Sequence, residues 1–366
     1  MIIDSHVYCF PPLDSRAGHA SAAEHLKVAQ VGHARHHQPT IRLRDRALGA
    51  WSEALIDPAG DPPWFVSNVD FRADHTHHRV VWTIDGEDYT KHYLPPNLHD
   101  TAFEPGSCIA EMDYAGVDAA LMHVELMLGR DVAYLADCVR RYPARLRSMA
   151  PVDEWRIQTD PDGVIREVTD AITRMGLHAI KFSVFYAYLY NRNPWNDGAY
   201  RPFWQAVTRL GVPIFFTLPI TAADVAGYLR EQQILIRWMD RYPDATISLT
   251  HGFPWRALRE GDDFALPEAI WEPFKNPKLH MEVSFPIRIG DWWEYPYRET
   301  WRAMEEMVNR IGGRRLLWGT DMPFQNRFCT YRQGRSYIEK YMPFLGADDI
   351  AAIMGGNVAR LLDFAH

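Results

Sequence analysis

The chain has 366 residues, 47% of them hydrophobic and 23% charged, with a formal net charge of −8. That balance describes a globular protein able to bury a large core, and the length admits one large barrel or two ordinary domains. The acidic charge, without any basic run, excludes a nucleic-acid surface, and no stretch is long and apolar enough to cross a membrane. Cys9, Cys108, Cys138 and Cys329 form no CxxC pair, and the opening MIIDSH carries neither a basic nor a long apolar segment. A cytoplasmic protein with reduced thiols is expected.

Met1–Val7 reads as a strand in which Asp4, His6 and Tyr8 alternate and so share one face. The stretch from Cys9 to about Pro105 is not a βα repeat. It holds a helix near Ala22–Gly32, the histidines His33, His36 and His37, and a second cluster at His75, His77 and His78. Arg79–Ile84 alternates like a strand, and Asp85-Gly86 signals a hairpin into Tyr89–Tyr93. Residues 9–105 are therefore read as an insertion covering the mouth of whatever follows. His75, His77 and His78 read as solvated. His36 and His37, mixed with Gln38, Pro39 and arginines, suit a polar pocket as well as a loop.

From Glu104 onward strands and helices alternate. Ser107–Ala115 is a helix stopped by Gly116, followed by strand Val117–His123 and helix Val132–Arg141. Then come strand Leu146–Val152, helix Val164–Met175, strand His178–Val184, helix Pro202–Leu210 and strand Pro213–Thr217. Helix Ala222–Tyr242, strand Thr246–Thr250, a helix near Pro267–Lys275 and strand Leu279–Val283 continue the pattern. Helix Thr300–Ile311, with Thr300 as N-cap, leads into Arg314–Phe324, RRLLWGTDMPF, whose apolar run is the eighth strand. Eight short apolar strands separated by helices predict an α/β fold, a (β/α)8 barrel in a single domain spanning residues 1–366.

On this register His6, His123 with Glu125, Lys181, Thr217, His251, Glu282 and Asp321 fall at strand C-termini, the face where barrel enzymes place their chemistry. Histidines and carboxylates on one rim are the donor set of a divalent metal. Asp321 also suits a simple cap for the turn that Gly319, Thr320 and Pro323 announce.

Three motifs, DSH at Asp4–His6, THGFPW at Thr250–Trp255 and GTDMPF at Gly319–Phe324, resemble the strand 1, 6 and 8 motifs of the amidohydrolase-related family. The resemblance is to the branch containing aminocarboxymuconate semialdehyde decarboxylase and the hydroxybenzoate decarboxylases. EMDYAGVD at Glu111–Asp118 and IMGGNVARLLDF at Ile353–Phe364 extend it. It implies a TIM barrel with His6, His251 and Asp321 around a divalent ion, zinc or manganese, and with Asp321 and His251 as the catalytic pair. Two of the family's histidines are replaced, by Tyr8 on strand 1 and by Thr217 on strand 5. His36 and His37 are candidates for the missing metal ligands, and Glu282 for either a ligand or a substrate-binding group. Lys181, Tyr8 and Thr217 are candidate substrate-binding groups.

The expected activity is hydrolysis or decarboxylation of a small carboxylate-bearing substrate, held by Lys181, Arg130 or arginines of Arg42–Arg46. The rewritten donor set and the HHQP insertion also resemble an α-aminoisobutyrate hydroxylase-like offshoot. That resemblance implies a non-haem iron (diiron-type) oxygenase, or the structural partner subunit of one. The expected partners are a small-molecule substrate and a second subunit, as a homodimer or a hetero-oligomer with a related barrel.

Overall fold

The apolar runs become eight parallel strands: β1 (Ile3–Val7), β2 (Ala119–Met122), β3 (Leu146–Ala150), β4 (Ala179–Ser183), β5 (Ile214–Thr217), β6 (Ile247–Leu249), β7 (Leu279–Val283) and β8 (Leu316–Trp318). The computed structural model describes residues 1–189, 193–218 and 224–364. The strands pair in chain order from β1 to β8. Past the end of β8 the chain returns to β1: the Tyr8 N–H donates to Met322 O at 2.7 Å and the Asp321 N–H to His6 O at 2.8 Å. The sheet is thereby closed into a (β/α)8 barrel.

Helices α2 (Pro105–Ala115), α3 (Val132–Arg141), α4 (Pro161–Thr173), α5 (Tyr200–Val207), α6 (Val225–Arg241), α7 (Trp301–Ile311) and α8 (Tyr331–Glu339) surround the strands. Phe182 of β4 and Phe216 of β5 pack on Trp204 of α5, with ring centres 4.6 and 5.6 Å apart, and Trp238 of α6 closes on Phe216 at 5.1 Å. Such tilted aromatic contacts add directional packing to the area they bury. Gly116 ends α2 with a φ of 70°, a left-handed conformation costly for most other residues.

Several elements differ from expectation. The helix expected to begin at Ala222 is described from Val225, and its first expected residues lie outside the described residues. Glu268–Lys275 is a 3₁₀ helix, since Pro273 lacks the N–H that an α-helix needs there. Thr300 does not cap α7 through its side chain; its hydroxyl donates to Tyr297 O at 2.7 Å. The strand expected at Tyr89–Tyr93 lies earlier, at Glu87–Thr90.

The insertion contains α1 (Ala22–Arg35), three residues longer than expected, and an antiparallel sheet ordered Leu48–Gly49, Thr40–Arg42, Glu87–Thr90, Arg79–Ile84, Arg72–Asp74. Asp85 and Gly86 form the expected hairpin turn with φ of 51° and 78°. The insertion sits on the barrel mouth. His19 Nε2 and His25 Nε2 lie 3.0 Å from the carbonyls of Leu126 and Met127 in the loop after β2. Tyr93 stacks between His36, at 4.2 Å, and Phe324 of the loop after β8, at 5.2 Å.

A buried lysine ties the end of α1 to the sheet: Lys91 Nζ donates to His33 O at 2.8 Å and His36 O at 2.7 Å. Burial pushes the Lys91 ammonium down to about 8. Below pH 8 both folded and unfolded chains hold this proton; above it only the unfolded chain does, so Lys91 makes stability rise with pH up to about 10.5. The stability of wild type relative to Lys91→Met is expected to grow by up to about 3 kcal/mol from pH 8 to 10.5. Urea denaturation at both pH values measures it, and a flat difference counts against the assignment.

Candidate metal centre

The first strand does not keep simple alternation. Asp4 pairs with Ala120 and Val7 with Met122, so three residues of β1 advance against two of β2, and a bulge lies between. Bulges re-aim side chains beside functional sites. Here Asp4 leaves the face expected for His6: its carboxylate accepts from Thr320 N at 3.0 Å and from the Tyr331 hydroxyl of α8 at 2.8 Å. The expectation that Asp4, His6 and Tyr8 share one face therefore holds only for the last two.

His6 is fully buried and engaged on both sides. Its Nδ1 lies 2.9 and 3.0 Å from the Glu282 oxygens, and its Nε2 lies 2.9 Å from the Tyr8 hydroxyl and 3.1 Å from Asp321 Oδ1. Glu282 also accepts from the His251 N–H at 2.7 Å. The His6 ring is stacked between His123, at 3.5 Å, and His251, at 4.7 Å. His251 and Asp321 end β6 and β8 in the same left-handed conformation, each with φ of 65°. Non-glycine residues in that region concentrate at functional sites, where surrounding structure holds them in place.

The electrostatics of this cluster suit a cation. Burial, reinforced by the Lys181 ammonium, holds His6 well below the usual imidazole range; burial does the same to His123 and His251, with neighbouring charges adding to it. Burial pushes the Glu282 carboxyl and the Asp321 carboxyl each up to about 8, with Lys181 opposing in both. With a neutral His6 whose Nδ1 faces Glu282, Nε2 faces both the Tyr8 hydroxyl and Asp321 Oδ1. The 3.1 Å between Nε2 and Asp321 Oδ1 suits two ligands of one ion held at about 2.0–2.2 Å. Among the described residues, His6, His251 and Glu282 each offer a ligand atom within 4.8 Å of the other two, a group in which Glu282 stands where Asp321 was expected; Asp321 meets His6 alone.

The remaining candidates take other positions. His36 Nε2 lies 3.2 Å from Arg327 Nη1, and His37 Nε2 lies 3.8 Å from Asp291. Neither belongs to the His6, His251 and Glu282 group, because each imidazole meets charged groups of the loops after β7 and β8 first. Lys181 Nζ lies 3.3 Å from the Tyr8 hydroxyl and 3.9 Å from Glu125. Thr217 Oγ1 is buried without a hydrogen-bond partner among the described residues, and so is His123 Nδ1, whose Nε2 faces Ser5 O at 2.9 Å. Arg130 pairs with the buried Asp153 and lines a cavity with Lys181 and Glu125, whereas Arg42 pairs with Asp45 and Arg44 with Glu87 within the insertion. Tyr93, Arg288 and Arg327, which border the site from the insertion and the last two barrel loops, were not singled out by sequence. The only signal for the two arginines is position shortly after a rim residue, and Tyr93 carries none.

A sequence model described as "Amidohydrolase" matches residues 73–364. The chain belongs to the amidohydrolase family. Sequence comparison with characterised proteins finds no match. Among solved structures, this amidohydrolase-family barrel is similar to a probable 2-pyrone-4,6-dicarboxylic acid hydrolase from Acinetobacter baumannii, with a TM-score of 0.54 and 17% identity over 72% of this chain and 91% of that one. It is equally similar to a dihydroxybenzoic acid decarboxylase from a Polaromonas species with bound manganese, at 0.54 and 17% over 74% and 91%. An amidohydrolase from Burkholderia multivorans with bound zinc matches at 0.52 and 15% over 72% and 90%. These likenesses establish a shared fold.

Glu282 stands behind His6 as a carboxylate that fixes its tautomer and ring plane. Glu282→Gln is expected to lower metal affinity by about 10–100-fold, the usual loss when such a partner is changed. A competition titration with a coloured chelator measures it; unchanged affinity counts against this role.

Proposed function

We propose that this chain is a metal-dependent hydrolase or carboxy-lyase acting on a small carboxylate-bearing substrate, with zinc or manganese as its ion, one per chain. The observation that supports it most is the convergence of His6 Nε2 and Asp321 Oδ1, 3.1 Å apart, across the seam where β8 returns to β1. With Tyr8 and Thr217 standing where the family resemblance implies histidine, His6, His251 and Asp321 are the ligand set, and His36 and His37 line the approach. A bound divalent ion supplies Lewis acidity toward a substrate oxygen.

The chain's own groups supply the rest. Glu282 orients His6 through Nδ1–H. Asp321, beside His6 Nε2, is placed to hold or release a proton at its carboxylate, as a general acid–base group requires. The Lys181 ammonium and Tyr8 hydroxyl present two adjacent donors for a substrate oxygen. The insertion acts in the same domain as the barrel and shields the mouth from water, which strengthens these interactions. Tyr93 stacks on Phe324 and Tyr8 meets Phe324 edge-on, so the mouth carries an aromatic rim that suits an unsaturated substrate.

The test is turnover of dihydroxybenzoate and 2-pyrone-4,6-dicarboxylate by zinc- or manganese-loaded protein without dioxygen, read as released CO2 or ring opening. Metal-dependent anaerobic turnover is expected. Activity that requires iron, dioxygen and a reductant would replace this reading with the oxygenase one, and a chain that binds no metal would be the structural partner of an active subunit.

A further inference from the structure

Among the described residues, two cations at the barrel mouth form no ion pair. Arg288 lies in the short helix Phe285–Ile289 that follows β7, and Arg327 in the 3₁₀ turn Phe324–Arg327 that follows β8. Both side chains are half-buried. Arg327 donates from Nε to Phe324 O at 3.0 Å and from Nη1 to His92 O at 3.4 Å, with His36 Nε2 3.2 Å from the same Nη1. Its guanidinium carbon is 5.7 Å from the centre of the Tyr93 ring and 5.9 Å from that of Phe324. Arg288 Nε is buried and has no hydrogen-bond partner among the described residues.

Asp321 and Asp291 act electrostatically on both arginines, yet each has a nearer partner of its own. Asp321 is engaged by His6, and Asp291 pairs with Arg256 at 2.8 Å. Arg288 and Arg327 act electrostatically on Asp321 and on each other, so two like charges are brought together with little water to screen them. A polar group removed from water costs stability unless a partner restores its hydrogen bonds, and a planar carboxylate is the group that a guanidinium fork matches best.

We propose that Arg288 and Arg327 form a clamp for a carboxylate of the substrate, beside Asp321. The clamp rests on the reading of the site given above and adds to it the residues that select the anion. It also explains the insertion: Tyr93 and His36 hold Arg327 from above while the barrel loops hold it from below.

The probe is benzoate, titrated calorimetrically into chelator-treated, metal-free protein, with benzamide and inorganic phosphate as comparisons. Wild type is expected to bind benzoate in preference to both. Arg288→Gln and Arg327→Gln are each expected to weaken benzoate at least tenfold, with unchanged metal uptake and an unchanged circular dichroism spectrum. Arg→Lys at either position, which keeps the charge but not the fork, is expected to fall between. Absence of benzoate binding, equal binding of benzamide, or benzoate affinity unchanged in both Gln variants would overturn the clamp. Tighter phosphate binding with the same arginine dependence would overturn its assignment to carboxylates. Because the titration is metal-free, failure of the metal-centre reading appears separately, as loss of metal uptake with benzoate binding intact.

Discussion

Asp321→Asn is expected to lower turnover by about 10²–10⁴-fold, the range for losing a general acid–base group, and to lower bound metal with it. The substitution preserves shape. Asparagine tolerates the φ of 65° that Asp321 adopts, and the backbone N–H that donates to His6 O is untouched, so the seam between β8 and β1 stays closed. What is lost is the negative charge facing His6 Nε2. If Asp321 only capped its turn, the change would be nearly silent, since asparagine caps about as well as aspartate. Metal content by plasma mass spectrometry, alongside steady-state rates, separates the two. Normal metal and normal turnover in the variant would remove Asp321 from the site.

The second large effect is expected at His6. His6→Ala removes a ring stacked between His123 and His251 and takes the Nδ1 partner from a fully buried Glu282. The buried cavity and the lost hydrogen bond together are expected to cost about 2–4 kcal/mol of stability. Metal uptake should be abolished as well. Urea denaturation of both proteins after chelation isolates the structural part, because wild type then also lacks the stabilisation that a bound ion gives. A variant as stable as chelated wild type would mean that Glu282 finds another partner. A variant that still binds one equivalent of metal would place the ion elsewhere.

The barrel was legible because each strand is a short apolar run closed by turn residues, as in Leu316-Leu317-Trp318 before Gly319 and Thr320. The periods of two and 3.6 residues alternate cleanly from Glu104 onward. Rim residues followed from that register, so His6, His251, Glu282 and Asp321 were found together. Direction was not legible. The bulge in β1 that parts Asp4 from His6 is a one-residue register shift that composition does not mark. His36 and His37 have ligand chemistry, yet they point at Arg327 and Asp291, and only the docking of the insertion decides that. The insertion's sheet pairs Thr40–Arg42 with Glu87–Thr90 across a long separation, which local pattern does not encode. Arg288 and Arg327 read in sequence like any solvated cation, because only the fold brings them to the barrel mouth without an ion-pair partner among the described residues.

Anomalous X-ray diffraction from crystals loaded with zinc or manganese, collected on either side of the metal's absorption edge, tests the central claim most directly. The account predicts one peak per chain at the C-terminal mouth of the barrel, within about 2.0–2.3 Å of His6 Nε2, an Asp321 oxygen and a His251 ring nitrogen. A peak at His36 and His37, or a loaded crystal with no peak among His6, His251 and Asp321, would contradict it.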